Sequence, residues 1–385
     1  FLNLFSNRYY ENGWTIGEWL INYEGGFVRR GLFGSIIYKI SSGMDINPIV
    51  IVHFTSILFF IIFLYLLINS RKYFSILFLL SPIVSLAPVL GNYLIRKDIS
   101  GIVAYALCAN LIVKKKSFRN FLLINLISVV SILNHESYFF YSLPSFAILH
   151  FLSSKNRHLN YDFVKKLYKS IIFITPSLLV TILAFYCKGN YEIAFKINES
   201  WFRLSSIIPT KQLIFPSFPF GAIGSLSWSL DKGISLPLSI INKFEGGVLI
   251  WIPAVWLLII FICLQIFIGD KNKLDSHLKL KALLIQFTFI SPLFILGWDF
   301  GRWIFLWISS SIFLTISLIK IETFNKKALD NLNGIIPNLL IKIFNGYELI
   351  GSKKFLYAFI GIPNCCWSIY AYMKIIPILF PLQIL

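Results

Sequence analysis

Apolar stretches of near membrane-spanning length, separated by short lysine-rich connections, run through almost the whole sequence and leave few folds open to it. A helix needs about 20 apolar residues to cross the hydrocarbon of a bilayer, within a range of roughly 17 to 25. Such stretches occur at 47–69, 73–90, 99–113, 118–133, 138–152, 170–187, 246–268, 282–297, 303–319 and 355–380. Residues 14–40 are mixed, with Trp14, Trp19, Phe27, Leu32 and Phe33 among charges, and read as an interfacial segment leading into a further span. The expected fold is all-α: a polytopic transmembrane helical bundle of about ten or eleven helices. It forms a single integral membrane domain over 1–385, with one long loop or lid at 188–245. No internal repeat stands out.

Composition closes the alternatives. Hydrophobic residues make up 57% of the chain and charged residues 14%, where a soluble domain carries roughly 25% charged. A soluble fold of 385 residues would lack the polar side chains to cover itself. Disorder, collagen and a disulfide scaffold fail on the same figures. The formal charge of +18 would suggest nucleic acid in a soluble protein. Here the basic residues lie in short runs between apolar segments, which marks membrane topology, and no nucleic-acid partner is expected. Cys108, Cys187 and Cys263 fall within or beside apolar runs, Cys365 and Cys366 are adjacent, and no Cys/His spacing resembles a zinc site. No metal and no cofactor are expected.

The lysines set the sides. Arg71-Lys72, Lys114-Lys115-Lys116 with Arg119, 155–169, 271–281 and 320–354 form one set of connections, cytoplasmic by the positive-inside rule. The alternating set, 1–46, 91–98, 134–137, 188–245 and 297–302, is then extracytoplasmic. Every compact polar cluster belongs to that second set. Six of the nine arginines do too: Arg8, Arg29, Arg30, Arg96, Arg203 and Arg302. Outer loops normally avoid positive charge, and the planar guanidinium matches two phosphate oxygens at once.

Each cluster has a chemical and a plainer reading. Glu24-Gly25-Gly26-Phe27-Val28-Arg29-Arg30-Gly31 offers glycines for close ligand approach and paired arginines for a diphosphate, or else an interfacial helix whose arginines reach lipid phosphates. Arg96-Lys97-Asp98 opens a span, where Asp98 either caps the helix and pairs with Arg96 or joins a site. Asn134-His135-Glu136-Ser137 puts a histidine and a carboxylate at a span end, a costly place unless they are paired or used, and either is a candidate general base. Gly297-Trp298-Asp299-Phe300-Gly301-Arg302-Trp303 sets an acid and a base three apart in an aromatic frame suited to sugar rings or to a membrane interface. The loop at 188–245, with Glu199, Trp201 and Arg203, is a candidate acceptor lid. Glu11, Glu18 and Glu24 offer carboxylates in the first outer segment, as base or metal ligand, but with no metal-binding spacing.

The set Gly26-Phe27-Val28-Arg29-Arg30-Gly31, Arg96-Lys97-Asp98, His135-Glu136 and Asp299-Phe300-Gly301-Arg302 resembles Wzy-type O-antigen (oligosaccharide repeat-unit) polymerases and related GT-C-like glycosyltransferases of bacterial polysaccharide biosynthesis. The resemblance implies a GT-C-like bundle in the bacterial inner membrane with a site facing the periplasm. The substrate would be a glycan on undecaprenyl diphosphate, and a chain-length regulator protein is an expected partner. Arg29, Arg30, Arg96, Lys97 and Arg302 would hold the diphosphate. His135 or Glu136 would deprotonate the acceptor hydroxyl, and Asp299 would orient Arg302 or the acceptor. Glu24, Asp98, Arg203 and Trp298 are secondary candidates. The first outer segment lacks the paired acidic motif of many GT-C enzymes, which favours a metal-free mechanism. Rival expectations are a GT-C enzyme adding one sugar from a polyprenyl monophosphate, a non-enzymatic transporter of the lipid-linked glycan, and a membrane acyltransferase built on His53 or His150.

Overall fold

The computed structural model describes residues 9–81, 83–90, 93–114, 117–153, 161–204, 219–229, 231–233, 235, 273–297 and 299–324. The spans expected at 246–268 and 355–380, and the candidate Trp298, lie outside them. Regular structure among the described residues is helical. In chain order the helices are α1 Tyr9–Trp19, α2 Gly31–Met44, α3 Pro48–Asn69, α4 Ile76–Leu79, α5 Ala87–Leu90, α6 Asp98–Val113 and α7 Phe118–Asn134. They continue with α8 Tyr138–Leu152, α9 Tyr161–Tyr186, α10 Tyr191–Phe202, α11 Gly221–Gly224, α12 Lys273–Leu296 and α13 Phe300–Phe324.

Local chemistry sets many of the boundaries. Asn47 caps α3 by accepting the Ile49 N–H at 2.9 Å, with Pro48 in the first turn. Ser117 and Asn190 cap α7 and α10 in the same way. Among the described residues four helical stretches, Pro48–Lys72, Phe163–Tyr186, Leu278–Leu296 and Gly301–Ile321, are long and apolar enough to cross a membrane, and α6, α7 and α8 are shorter apolar helices. Large apolar side chains of α3 (Phe54, Ile61, Tyr65) and α9 (Val164, Leu179, Ile182) face outward, whereas α13 is buried on nearly every side over 301–318. An apolar exterior around an equally apolar interior is the pattern of a helical membrane protein.

One expected span does not form. Residues 73–90 make two single-turn helices, α4 and α5, joined by turns. Pro82 and Pro88 carry no N–H to donate to a continuous helix through this stretch. The segment is nonetheless buried, through Phe74, Phe78, Leu79, Ile83, Val84 and Tyr93, and brings the chain back to the end of the bundle where α3 began.

Helix ends of opposite character sort to opposite ends of the bundle. At one end Lys320 Nζ donates to Asn110 Oδ1 at 2.8 Å and Lys279 Nζ lies 5.1 Å from the Phe74 ring. The opposite end carries the start of α6, the α7–α8 junction and the start of α13. A second apolar core covers it: Ile16, Trp19, Leu20 and Val28 pack with Ile37 of α2, Ala194, Ile197 and Trp201 of α10, and Ile223 and Leu226. We call this layer the cap. The described parts of the expected loop at 188–245 are thus a packed layer built on α1 and α2. Trp201 Nε1 donates to Leu20 O at 2.7 Å and Asn22 Nδ2 to Ser200 Oγ at 2.9 Å. Where α1 meets α11, a Cβ on Gly221 would stand 2.1 Å from Gly13 O, and Gly221 has φ +58. Only glycine permits that contact and that backbone angle together.

Candidate functional site

The charged residues lie where the cap meets the bundle. Trp19, the last residue of α1, donates its indole N–H to Ile95 O, just before Arg96-Lys97-Asp98. That bond swings Glu18 inward, where it is almost wholly buried. Arg96 Nη1 donates to Glu18 Oε2 at 3.1 Å, His135 Nε2 lies 2.6 Å from Glu18 Oε1, and Arg302 Nη2 lies 3.9 Å away. His135 Nδ1 accepts the Ser137 N–H at 3.1 Å. Nε2 faces Glu18, so both ring nitrogens have polar neighbours. Burial alone would raise the Glu18 carboxyl, but its contact with His135 and the guanidiniums of Arg302 and Arg96 overcome it and hold Glu18 well below the ordinary carboxylate range.

Arg302 is fully buried at the start of α13. It makes a two-pronged contact with Asp98, Nε to Oδ2 at 2.7 Å and Nη2 to Oδ1 at 3.0 Å, while its Nη1 donates to Asp299 at 2.5 Å. The pairing of Asp299 with Arg302 follows the three-residue spacing. Of the two readings of Asp98, the cap paired with Arg96 is not the one formed. Asp98 is the first residue of α6, not its cap, and its carboxylate turns to Arg302, 204 positions away, leaving Arg96 to Glu18.

Arg29 and Arg30 come from the cap. Arg30 caps α2 in the left-handed region, φ 67, a conformation that costs a non-glycine residue of order 1–3 kcal/mol. The turn aims its side chain at the α7–α8 junction. Arg30 Nε donates to Glu136 Oε2 at 2.7 Å and its Nη2 to Oε1, while Arg29 Nη1 lies 3.2 Å from Oε1. Burial would raise the Glu136 carboxyl, and the two guanidiniums hold it well below the usual range instead.

Lys97 binds no acid directly. Its Nζ donates to Arg30 O at 3.0 Å and Asn134 O at 3.1 Å, tying cap to bundle, and stands 5.6 Å from the Trp19 ring. Burial pushes the Lys97 ammonium down to about 7, which the nearby Glu18 and Glu136 charges only partly offset.

The structure thus brings together Arg29, Arg30, Arg96, Lys97, Asp98, His135, Glu136, Asp299 and Arg302. It leaves out Glu24, which is exposed, and Arg203, which is exposed on α10 and paired with Glu199 one turn away at 2.9 Å. Its central carboxylate, Glu18, had been one of three undistinguished acids. The signal lay in its neighbours: it sits in the last turn of an N-terminal helix, between the buried Ile16 and Trp19. Five basic side chains, Arg29, Arg30, Arg96, Lys97 and Arg302, stand against four carboxylates, Glu18, Asp98, Glu136 and Asp299. Most of this set is sealed. Arg29, Arg30 and Asp299 keep 23%, 21% and 20% of their side-chain surface and form its accessible edge. Such an edge can receive an anion on guanidinium groups held rigid from behind. Among the described residues no group of three or more His, Cys, Asp or Glu is arranged to hold a metal ion.

No family model matches the chain, and no match appears among curated proteins or solved structures.

Proposed function

We propose that this protein is a glycosyltransferase that polymerises oligosaccharide repeat units carried on undecaprenyl diphosphate, with its charged end facing the periplasm of the bacterial inner membrane. One observation carries the reading. Arginines from three distant segments, Arg29 with Arg30, Arg96 and Arg302, meet at one end of an apolar bundle, where the phosphates of a membrane-anchored donor would lie. Arginine on the outer side opposes the topology rule and needs a use.

In this scheme the accessible edge of Arg29 and Arg30 takes the diphosphate and stabilises the charge that develops as it leaves. Arg96 and Arg302, sealed behind it, fix Glu18, Asp98 and Asp299. His135, with both nitrogens occupied, orients Glu18, and the base role falls to Glu136. The acceptor oxygen attacks the anomeric carbon while the bond to the diphosphate oxygen breaks, which predicts inversion. Single alanine substitutions at Arg29, Arg30, Arg96 and His135 are expected to shorten or abolish the polymer ladder on gels of extracted polysaccharide. Wild-type ladders from all four would end the proposal.

Glu18 favours a second reading. A buried carboxylate on the first outer segment also suits a GT-C enzyme adding one sugar from a polyprenyl monophosphate. That enzyme would give a single added residue in place of a ladder.

A further inference from the structure

Glu136 poses a difficulty for any anion-binding role of this site. Its carboxylate already fills the fork of Arg30 and touches Arg29, the contacts a phosphate would make. Arg96 and Arg302 are no alternative. They are 7% and 2% exposed, and Arg302 is enclosed by Asp98 and Asp299. Arg29 and Arg30 are the arginines of the cluster within reach: Glu136 fills the fork of Arg30 and takes Nη1 of Arg29, whose Nε has no hydrogen-bond partner among the described residues.

Resting on the diphosphate reading above, we infer that Glu136 is a removable occupant of the donor site: a phosphate of the donor displaces its carboxylate from Arg29 and Arg30, and the freed carboxylate becomes the base for the acceptor hydroxyl.

The geometry supports the exchange in three ways. First, the backbone on both sides is held independently of the ion pair, because Lys97 Nζ bonds the carbonyls of Arg30 and Asn134 together. The side chains can re-pair without the cap lifting. Second, Arg29 and Arg30 are about a fifth exposed while Glu136 is buried beneath them, so an incoming anion meets the guanidinium edges first. Third, a phosphate offers more charge and more acceptor oxygens than the carboxylate it replaces.

Displacement also changes Glu136 itself. While paired it is a poor base, held ionised by the two guanidiniums. Once they turn to phosphate, burial dominates and its proton affinity rises. It then takes the acceptor's hydroxyl proton as that oxygen bonds to the anomeric carbon, and the electron pair of the broken carbon–oxygen bond leaves with the diphosphate. Base and donor become interdependent: without donor there is no free base.

The test uses the full chain purified in detergent, with inorganic pyrophosphate as probe and farnesyl diphosphate as the lipid-bearing arm. Glu136→Gln keeps the shape and removes the charge. It is expected to bind both probes roughly tenfold or more tighter than the wild type and to lose polymer formation. Glu136→Asp, with a shorter reach to the fork, should tighten binding by a smaller factor and serves if the Gln variant fails to fold. Equal or weaker binding by every folded variant overturns displacement while leaving the arginine site standing. So does tightening for farnesyl diphosphate alone, since the exchange acts on phosphate. Full polymer formation by Glu136→Gln overturns the base role. No binding of either probe by wild type or variants overturns the diphosphate reading along with this one.

Discussion

Lys97 shows how a single residue here depends on surroundings that its own segment does not supply. Arg96-Lys97-Asp98 reads as a helix cap with a local ion pair or as part of a site; instead each goes to a different distant partner, and Lys97 goes to two main-chain carbonyls. The consequence is a pH dependence of definite sign. Unfolded, Lys97 keeps its proton up to the ordinary value of 10.5, and folded only to about 7. Between those values the unfolded chain holds more protons, so stability rises with pH across the window and Lys97 contributes no slope below it. Thermal unfolding of the detergent-solubilised protein from pH 7 to 10 should show this rise, and Lys97→Met should flatten it. An identical slope in the variant would place the titration elsewhere. The residues the sequence singled out were mostly the right ones, but their roles were not legible. Which arginine meets which acid depends on contacts spanning 78 positions for Glu18 with Arg96 and 106 for Arg30 with Glu136, and no local pattern encodes such pairings.

At the scale of elements, local chemistry predicted well. The stretches at 47–69, 99–113, 118–133, 138–152, 282–297 and 303–319 return as α3, α6, α7, α8, α12 and α13, and 170–187 forms the later part of α9. Apolar length is a property of the segment itself, so it is legible without the fold. The stretch at 73–90 failed because its hydropathy suits a buried broken segment as well as a helix. The cap was harder still, since α1, α2 and α10 are held by backbone approach more than by apolar length. Gly34 of α2 is its tightest point: a Cβ there would stand 1.9 Å from Ile21 O. Gly34→Ala must therefore move α2 away from the strand of chain that carries Trp19 to Val28. We expect a loss of about 1–3 kcal/mol in unfolding free energy and a larger fall in pyrophosphate affinity, as Arg29 and Arg30 shift with the cap. Binding at the wild-type level would show that the cap does not position them.

The whole molecule has two chemically distinct ends, lysine at one and the arginine–carboxylate cluster with its cap at the other. The proposed orientation is open to direct labelling. In a cysteine-free background, Glu24→Cys should react with a membrane-impermeant maleimide in intact cells whose outer membrane admits the reagent, and Arg119→Cys only after the inner membrane is opened. The reverse pattern would move the cluster to the cytosol. The helical, apolar character of the described residues and the separation of lysine-rich from arginine-bearing connections follow from composition and order along the chain, because solvent preference and helix length act locally. The meeting of Glu18 with Arg96 and His135, the enclosure of Arg302 by Asp98 and Asp299, and the capture of Glu136 by Arg29 and Arg30 were decided only when the helices packed. A buried charge takes whichever partner the three-dimensional arrangement brings within reach.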